Sequence, residues 1–298
     1  MIRPAATRRL PLDSTAISLM IGFCLVLGLQ QVAIKAIAAD IAPLAQIALR
    51  SVGAALLVAL AARYRRVALA VPAQFGAGLL VGLGFTLEFM FVALGLNYTL
   101  ASHMAVFLYT SPIFAAIGLH LFVPDEQLTR RHWIGIALAF IGMVIAMAPN
   151  ANALANPHLL IGDALGVAAG LSWAATTLVL RTTSLSEAPP VRTLFYQLFT
   201  AAALLLPASW LLGDLSHIHM TGLAWASMGF QTVIVSFGAL LLWFWLLRRY
   251  LASRLGVFSF LSPLFGVLFG ALLLGEPLSI NFVIGSVAIV AGVVLVSR

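Results

Sequence analysis

The sequence predicts an all-α integral membrane protein of ten transmembrane helices, arranged as two inverted-topology five-helix repeats with both termini in the cytoplasm. Three observations predict it: the composition, a regular succession of apolar stretches along the whole chain, and the concentration of Lys and Arg on one side of the predicted bundle. Of the 298 residues, 62% are hydrophobic and only 8% are charged, and the mean hydropathy is +1.09. Soluble domains carry about a quarter charged residues, so this composition excludes a water-facing surface.

The apolar stretches are continuous, which favours helices over the alternating pattern of a membrane β-barrel. Most are close to the ~20 residues that a helix needs to cross the bilayer core. Turn-forming residues such as Pro124-Asp125-Glu126 and Gly213-Asp214 separate them. The predicted helices span residues 15–37, 43–62, 73–96, 101–122, 132–148, 162–182, 190–212, 220–247, 252–274 and 280–297.

The basic residues lie at alternate ends of the predicted helices. Fourteen of the 16 Lys and Arg residues fall on one side of the predicted bundle. They are Arg3, Arg8, Arg9, Arg63, Arg65, Arg66, Arg130, Arg131, Arg181, Arg192, Arg248, Arg249, Arg254 and Arg298. Because cytoplasmic loops carry the excess of Lys and Arg, both termini are predicted to be cytoplasmic in a bacterial inner membrane. The basic residues form no single patch, so nucleic acid is not an expected partner.

The two parts of the chain resemble each other. Residues 101–107 (ASHMAVF) match 252–258 (ASRLGVF). Further matches are Ser111-Pro112 with Ser262-Pro263, Gly135 and Gly142 with Gly285 and Gly292, and, more weakly, Lys35 and Pro43 with Arg181 and Pro189. A unit of five spans enters the membrane from the opposite side in its second copy, a construction typical of secondary transporters. We predict an N-terminal repeat at 1–148, a periplasmic linker at 149–161 and a C-terminal repeat at 162–298.

These features resemble the EamA-type branch of the drug/metabolite transporter superfamily. The resemblance rests on a Lys near the end of helix 1, a following Pro and an Arg in helix 2, here Lys35, Pro43 and Arg50. It also rests on the Ala-Ser…Ser-Pro-Phe pattern of helices 4 and 9, an acidic residue after each of them (Asp125, Glu276), and Trp173 followed by Arg181. Two departures are Tyr196 near the place that corresponds to Arg50, and His103 where the second half has Arg254.

Within the superfamily, the sequence is most similar to the bacterial aromatic amino-acid exporters of broad specificity. The resemblance implies ten helices, alternating access, and export of amino acids or other small metabolites. The expected partners are therefore an amino-acid substrate and the lipid bilayer, with a monomer sufficient for transport.

Glu88 is a carboxylate predicted to lie well inside a span. A charge at that depth costs roughly 2.5–3.5 kcal/mol, so it should face the bundle interior. There it could hold a substrate ammonium group or take up a proton; alternatively, it makes a structural hydrogen bond or pairs with Arg50 or Lys35. Arg50 could clamp a substrate carboxylate, but the tendency of membrane charges to pair favours a structural role. Lys35 is expected to extend to the periplasmic interface.

The Ser-Pro pairs of helices 4 and 9 are the second site prediction. Proline removes a backbone hydrogen bond and bends a helix, and in a membrane the freed carbonyl must find a partner or line a cavity. We interpret Pro112 and Pro263 as gating kinks and Ser111 and Ser262 as cavity residues. The alternative is that they only shape the bundle.

Four aromatic residues at mid-span, Phe85, Phe89, Tyr109 and Trp173, are further cavity candidates, although such residues more often serve in packing. They could stack on an aromatic or other apolar substrate.

Asp163, at the predicted start of helix 6, is interpreted as a helix cap.

The function classes can then be weighed. No nucleotide-binding loop is present, which favours a secondary exporter of amino acids. An uncoupled facilitator or an exporter of another metabolite or drug is the alternative. An intramembrane enzyme would need a catalytic constellation, and no catalytic residues are predicted. No metal site or other cofactor is expected, because the one cysteine, Cys24, lies outside any Cys/His cluster.

Overall fold

The structure is a computed structural model of the chain. It describes residues 9–99, 101–148, 158–216, 218–275 and 278–297, with the backbone alone at 101–103. Along these ranges run thirteen α-helices, two short 3-10 turns and a π-helical segment, Phe230–Ala239. The α-helices are α1 Ser14–Ala36, α2 Pro43–Tyr64, α3 Pro72–Gly95, α4 Ala101–Leu108, α5 Ser111–Phe122, α6 Arg130–Ala146, α7 Leu159–Thr182, α8 Pro190–Leu211, α9 Gly222–Gly229, α10 Leu240–Arg249, α11 Ala252–Phe258, α12 Leu261–Leu274 and α13 Ile280–Ser297.

The chain is an all-helical, multi-pass membrane protein. In the described ranges, nine stretches are helical, apolar and long enough to cross a bilayer. They are Ser14–Ala36, Pro43–Tyr64, Pro72–Gly95, Met104–Phe122, Leu159–Thr182, Pro190–Leu211, Gly222–Arg249, Ala252–Leu274 and Ile280–Ser297. The helix expected at 132–148 corresponds to α6, which at 17 residues is shorter than these nine.

Three of the predicted helices are interrupted. The helix predicted at 101–122 consists of α4 and α5, and the one predicted at 252–274 consists of α11 and α12. The helix predicted at 220–247 runs through α9, the π-helical segment and α10. Runs of π-helix are rare and often lie at functional sites, and no residue type in the sequence predicted this one.

Local sequence sets where several helices begin. The Asp13 carboxylate accepts the Ala16 N–H at 2.7 Å and caps α1, and the Thr221 hydroxyl accepts the Ala224 N–H at 3.1 Å at the start of α9. Helices α2, α3 and α8 each begin with proline. Proline suits the first turn because an N–H there has no partner within the helix.

Helices α6 and α13 pack through four glycines. A Cβ built on Gly142 would lie 2.7 Å from the Gly285 carbonyl oxygen, and one on Gly135 would lie 2.8 Å from that of Gly292. Glycine therefore lets the two backbones touch, as it commonly does between membrane helices. The sequence matched Gly135 with Gly285 and Gly142 with Gly292. Gly135 thus contacts Gly292, the counterpart of Gly142, and Gly142 contacts Gly285, the counterpart of Gly135. This exchange is what an approximate two-fold axis through the contact requires.

A second pair of contacts joins the two halves of the chain. Gly53 of α2 faces Thr232 of the π-helical segment, and Gly82 of α3 faces Thr200 of α8. All four residues occupy the same position in their membrane stretches. The stretches begin at Pro43, Pro72, Pro190 and Gly222, and each residue lies ten positions after that start. A Cβ on Gly53 would lie 2.8 Å from Cγ2 of Thr232, and one on Gly82 would lie 2.5 Å from Oγ1 of Thr200. In both contacts, the first half supplies the glycine and the second half supplies the threonine.

Candidate functional site

The candidate site lies where the interrupted helices of both halves meet. The interruption between α4 and α5 falls at Tyr109-Thr110, and the one between α11 and α12 falls at Ser259-Phe260. Each precedes a proline, Pro112 or Pro263, by two to four residues. The physical reason is that proline cannot donate to the carbonyl four residues earlier and crowds the preceding turn. The Ser-Pro pairs therefore sit at the start of α5 and α12, just after the breaks.

Helices α1 and α7 lie against these breaks and contact the backbone carbonyl groups next to them. The Cys24 thiol of α1 donates to the Phe258 carbonyl at 3.2 Å, at the end of α11. On the other side, Gly170 of α7 packs so closely that its Cβ would lie 2.9 Å from the Phe107 carbonyl oxygen, at the end of α4. Cys24 and Gly170 each lie 11 residues before the matched pair Lys35 and Arg181 (35 − 24 and 181 − 170).

An aromatic cluster forms beside the first break. The Tyr109 and Trp173 rings meet edge to face with centroids 5.7 Å apart, and Tyr109 and Phe260 lie 6.5 Å apart. The cluster joins α7 with the break of each half. Edge-to-face pairs of this kind contribute about 0.5–1.5 kcal/mol beyond their buried area. The rings of Tyr109 and Trp173, both predicted from sequence as cavity candidates, are thus in contact.

Glu88, Phe85 and Phe89 lie together on α3. The two rings are 4.8 Å apart, and Glu88, between them in sequence, is partly exposed. The lipid-exposed residues of α3, such as Leu83 and Leu87, lie on a different face from Glu88 by helical geometry. The Glu88 carboxylate is close enough to interact electrostatically with Arg50 and with Tyr109. It therefore faces the interior of the bundle, within electrostatic range of Tyr109.

Arg50 is held by protein groups. Its side chain lies in α2 and is 2% exposed, with Cζ 5.4 Å from the centroid of the Phe89 ring. Its Nη1 donates to Oε1 of Gln231 over a long 3.5 Å, and its Nε is buried without a partner among the described residues. Arg50 and Glu88 form no ion pair within 4.0 Å.

Gln231 of the π-helical segment centres a buried polar network that links α1, α2 and α9. Its Nε2 donates to Oε1 of Gln46 at 2.8 Å and to the Ser227 hydroxyl at 3.1 Å. Gln46 in turn donates to the Ile34 and Ile41 carbonyls. Since both amide protons of Gln46 and Gln231 are committed in this way, the orientation of the Gln231 oxygen towards Arg50 is fixed.

Ser111 and Ser262 are buried, and neither hydroxyl makes a well-formed hydrogen bond in the described part of the chain, although the Ser262 hydroxyl lies near Cys24 and Tyr109. A cavity beside Ser111 and Pro112 extends between α5, α7, α10 and α11. Its lining also includes Trp173, Thr177 and Ala252. A pair of unsatisfied hydroxyls at equivalent places in both halves supplies polar groups in an otherwise apolar interior, where such groups are costly.

At one end of the bundle, α7 and α10 finish with arginines, and Arg192 of α8 donates to the Ala68 carbonyl at 2.6 Å, after α2. We call this the Arg-rich end. Here Glu126, 1% exposed, forms an ion pair of 2.8 Å with Arg181. Its carboxylate also accepts the Ala252 and Ser253 N–H groups at 2.9 and 3.0 Å and the Ser253 hydroxyl at 2.6 Å. Glu126 of the first half is thus bound to α7 and α11 of the second, and we call this set of contacts the Glu126 latch.

The segment before α1 adds to the same end. The Tyr250 hydroxyl donates to the Asp13 carboxylate at 3.1 Å, and the Arg181 guanidinium donates to the Tyr250 carbonyl. The Ala16 N–H, together with the Tyr250 hydroxyl, holds the pKa of Asp13 below its usual range. Arg9 forms a 2.7 Å ion pair with the exposed Glu187. Contacts between the two halves therefore continue around the latch.

The structure separates the predicted residues into two groups. Glu88, Phe85, Phe89 and Arg50 form one group, while Tyr109, Trp173 and the two Ser-Pro pairs lie at the helix breaks. Lys35, in contrast, lies exposed in the last turn of α1. Glu276, the His103 side chain and residues 149–157 of the expected linker lie outside the described residues.

Two interpretations need correction. Asp163 is not a helix cap, because α7 begins at Leu159, a turn earlier; its carboxylate instead accepts the Thr99 hydroxyl at 2.6 Å. The acidic residue that matters after helix 4 is Glu126, since Asp125 is exposed. The signal was present: the spacing of 150 that relates Gly135 to Gly285 also relates Glu126 to Glu276.

Comparison with known proteins agrees with this architecture. The EamA-like transporter family matches the chain twice, over residues 14–148 and 160–298. Proteins named "Probable amino-acid metabolite efflux pump" are similar to it: that of Salmonella typhimurium is 29% identical over 72% of this chain and 74% of its own length. The one of Escherichia coli is likewise 29% identical over the same shares. An uncharacterized transporter of Archaeoglobus fulgidus is 26% identical over 71% of this chain and 72% of its own length.

A crystal structure of another protein superposes with a TM-score of 0.81 over 95% of this chain and 96% of that one. At 19% identity, this likeness shows a shared fold. The double family match covers nearly the whole sequence, including both broken helices and the Glu126 latch. The chain is therefore a membrane transporter that belongs to the EamA-like transporter family.

Proposed function

We propose that this chain is an inner-membrane secondary exporter of amino acids, aromatic and other neutral ones, which works by alternating access between its two halves. The observation that carries the proposal is Glu88 on the interior face of α3, with the Phe85 and Phe89 rings on the same helix and Tyr109, at the α4–α5 break, within electrostatic range. A carboxylate and aromatic faces suit the ammonium group and the side chain of an aromatic amino acid. The names of the Salmonella typhimurium and Escherichia coli relatives point to the same substrate class.

The Glu126 latch supports the alternating-access part of the proposal. It joins the halves at the Arg-rich end, and its partner Ala252 also lines the cavity beside Trp173. Substrate could leave or enter at that end only after the latch opens. A monomer, surrounded by lipid, contains every residue of the mechanism.

The topology belongs to the same proposal: ten spans, with α6 as the fifth, and both termini cytoplasmic. Seventeen residues lie at the short end of the range for a membrane helix, and the Arg-rich end would face the cytoplasm by the positive-inside rule. Alkaline phosphatase fused after Asp40 or Asp214 should be active, since only periplasmic fusions are. Fusions after Arg66 or at the C-terminus should be inactive. An active C-terminal fusion would contradict the topology.

Substrate identity is tested by counterflow in proteoliposomes that contain the purified protein. Vesicles loaded with unlabelled phenylalanine should accumulate external radiolabelled phenylalanine, and a nucleotide sugar should neither accumulate nor compete. Empty liposomes give the background. Absence of counterflow for phenylalanine and other neutral amino acids, with folded protein, would favour an exporter of another metabolite or drug. An effect of an imposed pH gradient on uptake would separate a proton-coupled exporter from a facilitator, and Glu88→Gln should remove that effect if Glu88 carries the proton.

A further inference from the structure

The two charged side chains of the candidate site differ in what they can offer a ligand. Arg50 is 98% buried, its face is covered by the Phe89 ring at 5.4 Å and one edge is directed at Gln231. Its unpartnered Nε has no exposed surface. A substrate carboxylate would therefore have to compete with Phe89 and Gln231 for the guanidinium.

The Gln231 side chain is held in its orientation towards Arg50. Its amide group is fixed by Gln46 and by Ser227, whose hydroxyl donates to the Ala33 carbonyl at 2.8 Å. The network spans α1, α2 and the second half of the chain, so displacing Gln231 would leave several buried polar groups without partners. Each such group would destabilise the protein by about 1–3 kcal/mol. The network is therefore expected to stay intact, with Arg50 in a structural role.

Glu88 has the opposite character. It is partly exposed on the interior face of α3 and makes neither a hydrogen bond nor an ion pair with the residues that the structure describes. Phe85 and Phe89 flank it, and Tyr109 lies within electrostatic range. The accessible ionisable group of the site is therefore a carboxyl, with two aromatic rings on the same helix.

From this asymmetry we infer that the site selects a protonated amine with an apolar, preferably aromatic, group, and that the substrate carboxylate is not recognised. This inference rests on the proposed function, whose cluster it uses, and narrows the substrate class. Glu88 attracts the ammonium group directly, and the aromatic faces add cation–π attraction. A carboxylate placed beside it would be repelled by Glu88, because the positive charge of Arg50 is covered. Aromatic amines and amino-acid amides should therefore be ligands as good as or better than the amino acids.

The test compares three ligands that share one phenyl group: phenylalanine, phenylalaninamide and 3-phenylpropanoate. Binding to the purified protein in detergent is measured by thermal stabilisation, since a ligand that binds the folded state raises its unfolding temperature. Measurements at about pH 6.5 keep the amines protonated. We expect half-maximal stabilisation by phenylalaninamide at a concentration equal to or below that of phenylalanine, and 3-phenylpropanoate to be at least tenfold weaker. Binding of 3-phenylpropanoate equal to or tighter than that of the amide would overturn the inference.

Export of amino acids and recognition of amines can be disproved separately. If phenylalaninamide binds and drives counterflow while phenylalanine does neither, amino-acid export is wrong and amine recognition stands. If phenylalanine is transported and the carboxylate analogue is the better competitor, export stands and the inference is wrong. The Glu88→Gln variant should weaken amide binding at least tenfold, with Leu87→Ala on the lipid-exposed face of the same turn as the control. Unchanged amide affinity in Glu88→Gln would also overturn the inference, and the wild-type ligand series stays decisive if that variant fails to fold.

Discussion

Gly285→Leu should leave almost no folded protein after extraction in detergent. A Cβ on Gly285 would lie 2.5 Å from the Ala146 nitrogen and 2.6 Å from the Ala146 Cβ, and it would overlap the Gly142 carbonyl oxygen. These neighbours are mostly backbone, which cannot change rotamer, so α6 and α13 must separate along their length. Overpacking costs about 1–3 kcal/mol where side chains can yield, and we expect a loss above that range here.

The measurement is the yield and unfolding temperature of monodisperse protein in size-exclusion chromatography. Gly22→Ala in α1 is the matched control, because a Cβ there has no heavy atom within 4 Å; it should behave as wild type. A Gly285→Leu protein with the wild-type unfolding temperature would show that α6 and α13 do not pack in this way.

Glu126→Ala should destabilise the protein by about 3–5 kcal/mol, the usual cost of removing one partner of a buried ion pair. The substitution leaves the Arg181 guanidinium, on a side chain that is 4% exposed, without its carboxylate. It also leaves the Ala252 and Ser253 N–H groups at the start of α11 without their acceptor. The unfolding temperature in detergent should fall accordingly, and Asp125→Ala, a change of the neighbouring exposed carboxylate, should leave it unchanged.

A milder change separates stability from conformation. Glu126→Gln keeps an acceptor for α11 but loses the charge, so it should favour opening at the Arg-rich end. With Cys24 replaced by serine and Thr177, which lines the cavity, replaced by cysteine, a membrane-impermeant thiol reagent applied from the Arg-rich side should react faster in the Glu126→Gln background. Equal reaction rates would mean that the latch does not hold that end closed.

The sequence was informative where a physical requirement acts locally. Hydropathy and prolines predicted the positions of most of the apolar helices, and the family resemblance is confirmed by the double match of residues 14–148 and 160–298. The breaks before Pro112 and Pro263 follow from the missing N–H of proline. Sequence reasoning named Glu88 and Arg50, because embedded charged residues are rare enough to stand out, but it did not name Phe260 of the aromatic cluster.

What the sequence did not predict depends on contacts between distant segments. The π-helical segment Phe230–Ala239 contains no proline, and nothing in its own residues distinguishes it from α-helix. The role of Glu126 after helix 4 was not predicted, because the side-chain direction there depends on the 3-10 turn at Pro124–Glu126. The covering of Arg50 could not be foreseen either, since Gln231 lies 181 residues away.

The glycine–threonine contacts have a consequence for how such a molecule can assemble. Two copies of the first half, arranged like the present halves, would bring Gly53 against Gly82 and leave a void at both contacts. Two copies of the second half would bring Thr200 against Thr232 and collide. Unlike halves therefore pack better at these contacts than like halves, a form of specificity built from misfits with the wrong partner. A larger residue at Gly53 or Gly82 would therefore need a compensating change at Thr232 or Thr200, so the two halves are coupled at these positions.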